Sequence, residues 1–528
     1  MRTTQEPYLR DLSFRGFVEG VTYKDENFKP LCHYFGGIPY ALPPVRWQKP
    51  IPLPACYRYG TRENPGKFAG EVSTCPQPDK GSNKAKWDEN CLQTNIWLPV
   101  GEPPEGGWPV LFWIHGGFLQ LGSPNANDLS AMLSETTCKF IVVMPGYRIN
   151  ILGFLASPEL LKSCSDYAVN CGFWDQRQAL EWTWQNISYF GGNASNIAIG
   201  GYSAGAYSTF YQLAYDLQLP DSKSIVRRAL MMSNGPGIQP KSLESAQLQF
   251  NEYLNVLHIP LTMTPQDKLD SLRAIDQDTL INAIYKMKKY HQFRSVTDGE
   301  FIRPGLLDEI DTGSFAGLMR RKGVKLLLGE CKDEHTGYAD HWPPNNYNTL
   351  FERLQADYPL PVCKALINLY YPDKELPVHC RDWKEAWGKI YADVQIHHLQ
   401  RGMHEALVRH GAGDLVYRYR IEFRAECCDY FWPRDFGVTH TSDLKFWFWG
   451  DGNQLSQDEK TLLRGAIHEL WGRFIKGEEV AWGTSYPLHI RTLTPEGAVL
   501  CQEDVRLNEG VKVWETVMKA GKQANSKL

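Results

Sequence analysis

The chain has 528 residues, 43% of them hydrophobic and 22% charged, a globular composition far from the disordered and fibrous classes. Its formal net charge of −4 supplies no positive field to hold phosphates, so nucleic acid is not an expected partner. No apolar run is long enough for a membrane span, and the stretch Met1–Gly16 lacks the basic start and apolar run of a secretory signal.

In chain order, short apolar runs alternate with helical patterns, which predicts an α/β fold with a largely parallel sheet between helices. Val110–Ile114 reads as a buried strand ending at His115-Gly116-Gly117. Phe140–Met144 is a second, closed by Pro145-Gly146. Asp175–Asn186 predicts a helix opening on an N-cap-type Asp. Asn196–Gly200 is a third strand, and the helix Ala204–Ala214 follows it after one turn. Ser242–Met287 is mostly helical by pattern, and such excursions are expected to lie over the mouth of the sheet and shape a pocket. Val324–Leu328 is a fourth strand, ending at Gly329. Continuous Val/Ile/Leu runs of this length suit strands covered on both faces. No Pro/Gly/Ser-rich linker divides the chain, so residues 1–525 read as one domain. The 17 Trp and 26 Tyr read chiefly as core, with an aromatic-lined pocket for an apolar substrate as the sharper alternative. The 13 Cys are an odd number, so at least one thiol is free or paired between chains.

The segment that carries chemistry is Gly201-Tyr202-Ser203-Ala204-Gly205, a G-x-S-x-G pattern between a predicted strand and a predicted helix. A serine at so sharp a turn leaves no room for side chains two residues before and after it, which is why Gly201 and Gly205 stand there. The turn lifts Oγ of Ser203 clear of the sheet and sets the Ala204 N–H at a helix N-terminus beside it, where it can bind an oxyanion. His115-Gly116-Gly117-Phe118 supplies further backbone donors, from Gly117 and Phe118. His115 reads as a support of that loop rather than a base.

With these parts in order, the sequence resembles the type-B carboxylesterase/lipase family, the cholinesterase-like branch of the α/β-hydrolases. The likeness begins at Phe35–Ala41 and Pro43–Trp47 and continues through Glu89–Leu92 and Asn95–Trp97. Tyr147-Arg148, Leu152–Phe154, Asp175-Gln176, Ala179-Leu180, Asn186-Ile187 and Phe190–Asn193 then lead into the serine turn. The resemblance implies the α/β-hydrolase fold, helical excursions over the active-site mouth, and a Ser-His-Glu triad. The family's Gly-x-x-x-Asp-Glu-Gly pattern is matched by Gly329–Glu334, which gives the acid role to Glu334; His335 stands where the family has glycine, and this leaves room for Asp333. The family's histidine falls on His440, within Thr439–Leu444. Phe118 replaces a small residue, and its ring is expected to crowd the pocket and disfavour bulky tertiary alcohols. Cys75 and Cys91 match a family disulfide common in secreted members.

The implied activity is carboxylic ester hydrolysis through an acyl-enzyme on Ser203, with no cofactor and no metal. His397-His398 and the pair His404/His410 do not form the H-E-x-x-H spacing of a zinc site. Thioester hydrolysis or acyl transfer on acyl-CoA-derived substrates is the alternative on the same machinery. A non-catalytic, cholinesterase-like binding protein is the alternative from another class, disfavoured because all three triad residues are present. The terminal Ser526-Lys527-Leu528 is a receptor-read peroxisomal address, and the polar stretch Lys519–Asn525 is expected to present it. The expected location is therefore the peroxisome, otherwise the cytoplasm, and not outside the cell; the expected partners are a small, apolar ester and the peroxisomal import receptor.

Overall fold

The computed structural model describes residues 4–78 and 87–525. Its strands are β1 (Thr4–Asp11), β2 (Phe17–Lys24), β3 (Pro30–Pro39), β4 (Gly66–Lys67), β5 (Gln93–Pro99), β6 (Trp108–Ile114), β7 (Ile141–Pro145), β8 (Gly192–Tyr202), β9 (Val226–Met232), β10 (Lys325–Cys331), β11 (Val416–Ile421), β12 (His489–Leu493) and β13 (Val499–Glu503). They form one 13-stranded sheet in the order β1-β2-β3-β5-β7-β6-β8-β9-β10-β11-β12-β13, with the short β4 beside β2. The block from β7 to β12 is parallel throughout, and antiparallel strands flank it on both sides.

The apolar runs of the central strands follow from their two covered faces. In β6, Val110, Phe112 and Ile114 enter one core, and Leu111 and Trp113 enter the other. Successive side chains point to opposite faces of a strand, so a strand with helices on both sides is apolar at every position. The four strands expected from the sequence all form, with β8 starting earlier than the predicted third strand.

Three expectations need correction. The helix Cys171–Asn186 begins before Asp175, with Asn170 at its N-cap. Asp175 is fully buried and accepts Arg148 Nε at 2.8 Å and Nη2 at 2.6 Å. A buried guanidinium requires such a partner, and this pair pins the loop after β7 instead of capping a helix. The stretch 242–287 is helical as expected, in Leu243–Val256, Pro265–Ala274 and Gln277–Ile284; it packs beside the helix Pro158–Ser163, and its end, Ile284 and Tyr285, lines the outer cavity rather than the serine chamber, both described below. Residues 519–525 are not a loose tail: the helix Leu507–Asn525 runs through them, and Ser526-Lys527-Leu528 lie outside the described residues.

Cys75 and Cys91 are joined in a disulfide, with Cα atoms 5.2 Å apart. Gln77, within the loop this bond closes, accepts the Gly122 N–H at 2.8 Å and so ties that loop to the segment after β6.

Candidate active site

The parallel strands β6, β8 and β10 deliver their carboxyl ends to one side of the sheet, where ligands of open α/β sheets bind. Ser203 follows β8 and caps the helix Ala204–Asp216, with φ +55° and ψ −127°. That conformation is costly for a residue with a side chain and persists only where its surroundings enforce it. Here the Ser203 N–H bonds Met232 O at the end of β9 at 2.8 Å, and its carbonyl accepts the Tyr207 N–H. A Cβ on Gly201 would meet the Gly205 carbonyl carbon at 2.5 Å, and one on Gly205 would meet Ile114 O at 2.0 Å. The steric reading of the G-x-S-x-G turn therefore holds atom by atom.

After β6, Gly117 adopts φ +107°, and Phe118 and Leu119 follow at +60° and +62°. The loop is held from several directions: Gln77 binds Gly122, Asn150 N–H donates to Leu119 O at 2.6 Å, and an Arg294 guanidinium N–H bonds Phe118 O. His115 is buried and stacks on Tyr147 at 4.4 Å, while the Tyr147 hydroxyl donates to His115 O at 2.9 Å. Burial lowers the His115 pKa to about 4, so it is a neutral support, as the sequence suggests. Ala204 opens its helix, so its N–H is a first-turn donor with no acceptor within the helix.

Glu334 is fully buried at the start of the helix Glu334–Ala339, after β10. One carboxylate oxygen accepts the Cys331 N–H at 2.7 Å, and the other lies 2.6 Å from Nδ1 of His440. Asp333 points elsewhere: its carboxylate accepts the Val438 N–H at 3.0 Å, and its backbone pairs with the strand leading to His440. Asp333 thus fastens the histidine loop, and Glu334 alone reaches the imidazole. Gly337 lets that loop pack close, since a Cβ there would meet His440 Cβ at 2.8 Å.

Sequence reasoning missed Tyr338. Its hydroxyl lies 3.3 Å from Nε2 of His440, and the residue lines the chamber beside Ser203. Among the described residues no direct hydrogen bond joins Ser203 to His440, and Tyr338 stands against the imidazole on the chamber side. Burial, then the nearby Glu334, raises the Tyr338 pKa well above its ordinary value, so the group is a hydroxyl and can donate. Nothing in its spacing marked it; the position is visible only once the helix Glu334–Ala339 turns it over the imidazole.

The chamber beside Ser203 is small, about 30 Å³. Besides Ser203, Ala204 and Tyr338, its wall includes Arg294, Asp357, Tyr391, Asn234 and Gln395. The lining is mixed: these polar groups stand among the rings of Phe118, Tyr207, Tyr358 and Tyr391 and the aliphatic Ile238 and Pro240, while most of the Trp residues lie in the cores. Phe118 closes the chamber: its ring stacks on His341 at 3.9 Å and meets Tyr338 edge-on at 5.8 Å. His341 also lines an outer cavity of about 550 Å³, with Gln120, Leu121 and Trp342.

Chemically, the arrangement is a hydroxyl on a strained turn, an imidazole oriented by a buried carboxylate, and backbone donors around one point. It needs no metal to attack a carbonyl, and among the described residues no group of three or more His, Cys, Asp or Glu could hold one. Among the same residues, no helix is long and apolar enough to cross a membrane.

The sequence profile of the carboxylesterase family matches residues 7–524. A carboxylic ester hydrolase from Gibberella moniliformis is 43% identical over 532 residues, covering 97% of each chain. An uncharacterized esterase/lipase from Schizosaccharomyces pombe is 39% identical with the same coverage. The crystal structure of Aspergillus niger EstA superposes with a TM-score of 0.75 at 20% identity, over 97% of this chain and 99% of that one, and so shares its fold.

Proposed function

Because the chain belongs to the carboxylesterase family and is a carboxylic ester hydrolase, we propose that it works by acyl transfer through Ser203, with His440 as base and acid and Glu334 as the orienting carboxylate. Ser203 Oγ attacks the ester carbonyl while His440 Nε2 takes its proton, the Tyr338 hydroxyl having yielded that nitrogen. The oxygen of the tetrahedral intermediate is held by the N–H groups of Gly117, Phe118 and Ala204, donors fixed before the charge develops. His440 then returns the proton to the leaving alcohol, and Glu334 stabilises the imidazolium during the step. Water repeats the sequence on the acyl-enzyme and frees the acid.

The observation that carries this reading is the 2.6 Å contact between Glu334 and His440 Nδ1, under a serine held in the strained elbow. With Nδ1 on the carboxylate, Nε2 is the nitrogen left to take the proton of the nucleophile. A fluorophosphonate probe tests it: wild type is expected to label stoichiometrically and Ser203→Ala not at all. Labelling that survives the substitution rejects Ser203 as the nucleophile.

The location is proposed from the terminal Ser526-Lys527-Leu528, the form read by the peroxisomal import receptor. A fluorescent protein fused to the N-terminus is expected in peroxisomal puncta and to disperse when the tripeptide is deleted. Diffuse signal from both fusions rejects the address.

A further inference from the structure

Resting on the esterase reading, we infer that the chamber beside Ser203 selects a short acyl group ending in a carboxylate, as in the half-ester of a small dicarboxylic acid, and that Arg294 is the residue that recognises it.

Arg294 lines the chamber with Ser203. A guanidinium has five N–H donors. Nε donates to Asp357 Oδ1 at 2.8 Å, one terminal nitrogen to Phe118 O, and the other to the Tyr391 hydroxyl at 2.9 Å. Each terminal nitrogen keeps a second N–H with no acceptor among the described residues. Asp357 also faces the chamber, and it would repel an anion if it stood alone. It does not: its other oxygen accepts Arg353 Nη1 at 2.6 Å, so two guanidiniums share one carboxylate. Burial alone would raise the Asp357 pKa, but Arg294 and Arg353 outweigh it and hold the group ionised. A third cation, Lys241, sits behind, its ammonium donating to Gln355 O and to Ala356 O at 2.6 and 2.8 Å. Against these three cations stand Asp357 and, on the far side under His440, Glu334.

Of these groups only Arg294 and Asp357 line the chamber, with Arg353 and Lys241 behind them, and a surplus of positive charge around a buried space favours a ligand of opposite sign. The remaining wall agrees. Gln395 accepts from Asn234 and donates to Tyr358, and Tyr207 bonds Ser295, so these polar groups are already oriented, and the apolar part of the wall, Phe118, Ile238 and Pro240, borders a space too small for a long acyl chain. The volume, about 30 Å³, fits a group of very few atoms. In an acyl-enzyme the acyl group stays on Ser203 while the alcohol departs. The confined chamber therefore suits the acyl part, and the larger cavity beyond Phe118 and His341 suits the leaving alcohol. On a methyl half-ester the Ser203 Oγ–acyl bond forms, the acyl–OCH3 bond breaks and the leaving methoxide takes the proton held by His440 to depart as methanol; water then attacks the acyl group, its proton passing through His440 to Ser203 Oγ as the dicarboxylate is released.

The test compares monomethyl malonate with methyl acetoacetate, which replaces the carboxylate by a neutral acetyl group of like shape, and with acetoxyacetate, which carries the charge on the alcohol side. Wild type is expected to favour monomethyl malonate over both by at least about tenfold in kcat/KM, the range of a charge-assisted hydrogen bond in a desolvated site. Arg294→Met is expected to remove most of that ratio, and Arg294→Lys, which keeps the charge, to retain part of it. Fluorophosphonate labelling shows which variants are folded, and if Arg294→Met is not, the Lys variant and wild type decide. A wild type that prefers the neutral ester or acetoxyacetate, or a ratio unmoved by either substitution, overturns the inference and leaves the esterase reading intact. If no ester is hydrolysed and no label is taken, the nucleophile assignment falls first and this inference with it.

Discussion

The Tyr338 hydroxyl lies 3.3 Å from Nε2 of His440, the nitrogen proposed to accept the proton of Ser203. A neutral imidazole presents one lone pair there, so phenol and serine compete for it. Removing the phenol oxygen leaves Ser203 as the only contender. Tyr338→Phe is therefore expected to speed phosphonylation by a small fluorophosphonate by roughly two- to tenfold, the equivalent of one neutral hydrogen bond. A slower reaction would mean that the tyrosine relays the proton instead of competing for its acceptor.

Glu334 and Asp333 are neighbours with separable roles. Glu334→Gln keeps the shape but offers an amide where the imidazole needs an anion, and kcat is expected to fall by about 10³ to 10⁴. Asp333→Asn loosens the Val438 contact that fastens the histidine loop, and its main effect is expected on stability, about 1 to 3 kcal/mol. Steady-state kinetics and thermal melts on both variants separate the two; equal losses of kcat would make the pair a single functional unit.

How far the sequence reached depends on how local each signal is. The turn at Ser203 was legible because its steric demand falls on Gly201 and Gly205 within the same stretch of chain. Glu334 and His440 were reached only through family resemblance, since their contact joins residues 106 apart and no spacing rule links them. The strands of the parallel block declared themselves by apolar runs, as burial on two faces requires. The chamber wall stayed invisible: Arg294, Asp357 and the pair Tyr391 and Gln395 come from three segments distant in the chain, and no spacing links them. Asp175 misled because an aspartate near a helix start has two uses, capping and pairing, and its buried partner Arg148 decides between them.

Phe118 is the wedge between the serine chamber and the outer cavity, and its left-handed backbone already suits glycine. Phe118→Gly keeps the backbone N–H while removing the ring that stacks on His341. Esters of tertiary alcohols, such as tert-butyl acetate, are expected to become substrates in the variant and to remain poor for wild type. Release of tert-butanol measures this. Unchanged rejection by a variant that still hydrolyses ethyl acetate would place the steric block elsewhere.

The buried histidines make the fold sensitive to mild acid. Burial lowers the pKa of His115 and His468 to about 4, and burial followed by Arg353 lowers that of His341 to about 3. In the unfolded chain each titrates near the ordinary value of about 6.5. Below that pH the unfolded state binds protons that the native state refuses, so stability is complete above about pH 6.5 and drains away as pH falls toward the depressed values. Each such histidine is expected to withdraw about 1 kcal/mol between pH 7 and pH 5.5. Carboxylates held down by partners, such as Asp357, add the same trend only at lower pH. Thermal melts at the two pH values are expected to show a clear drop in Tm, and His468→Gln, which cannot take up a proton, is expected to narrow the gap. His468 lies in the core beside Trp471, away from the serine chamber, so the narrowing reads proton uptake on unfolding and not a change at the site. Equal Tm values at pH 7 and pH 5.5 for wild type would show that these side chains are not kept neutral by burial.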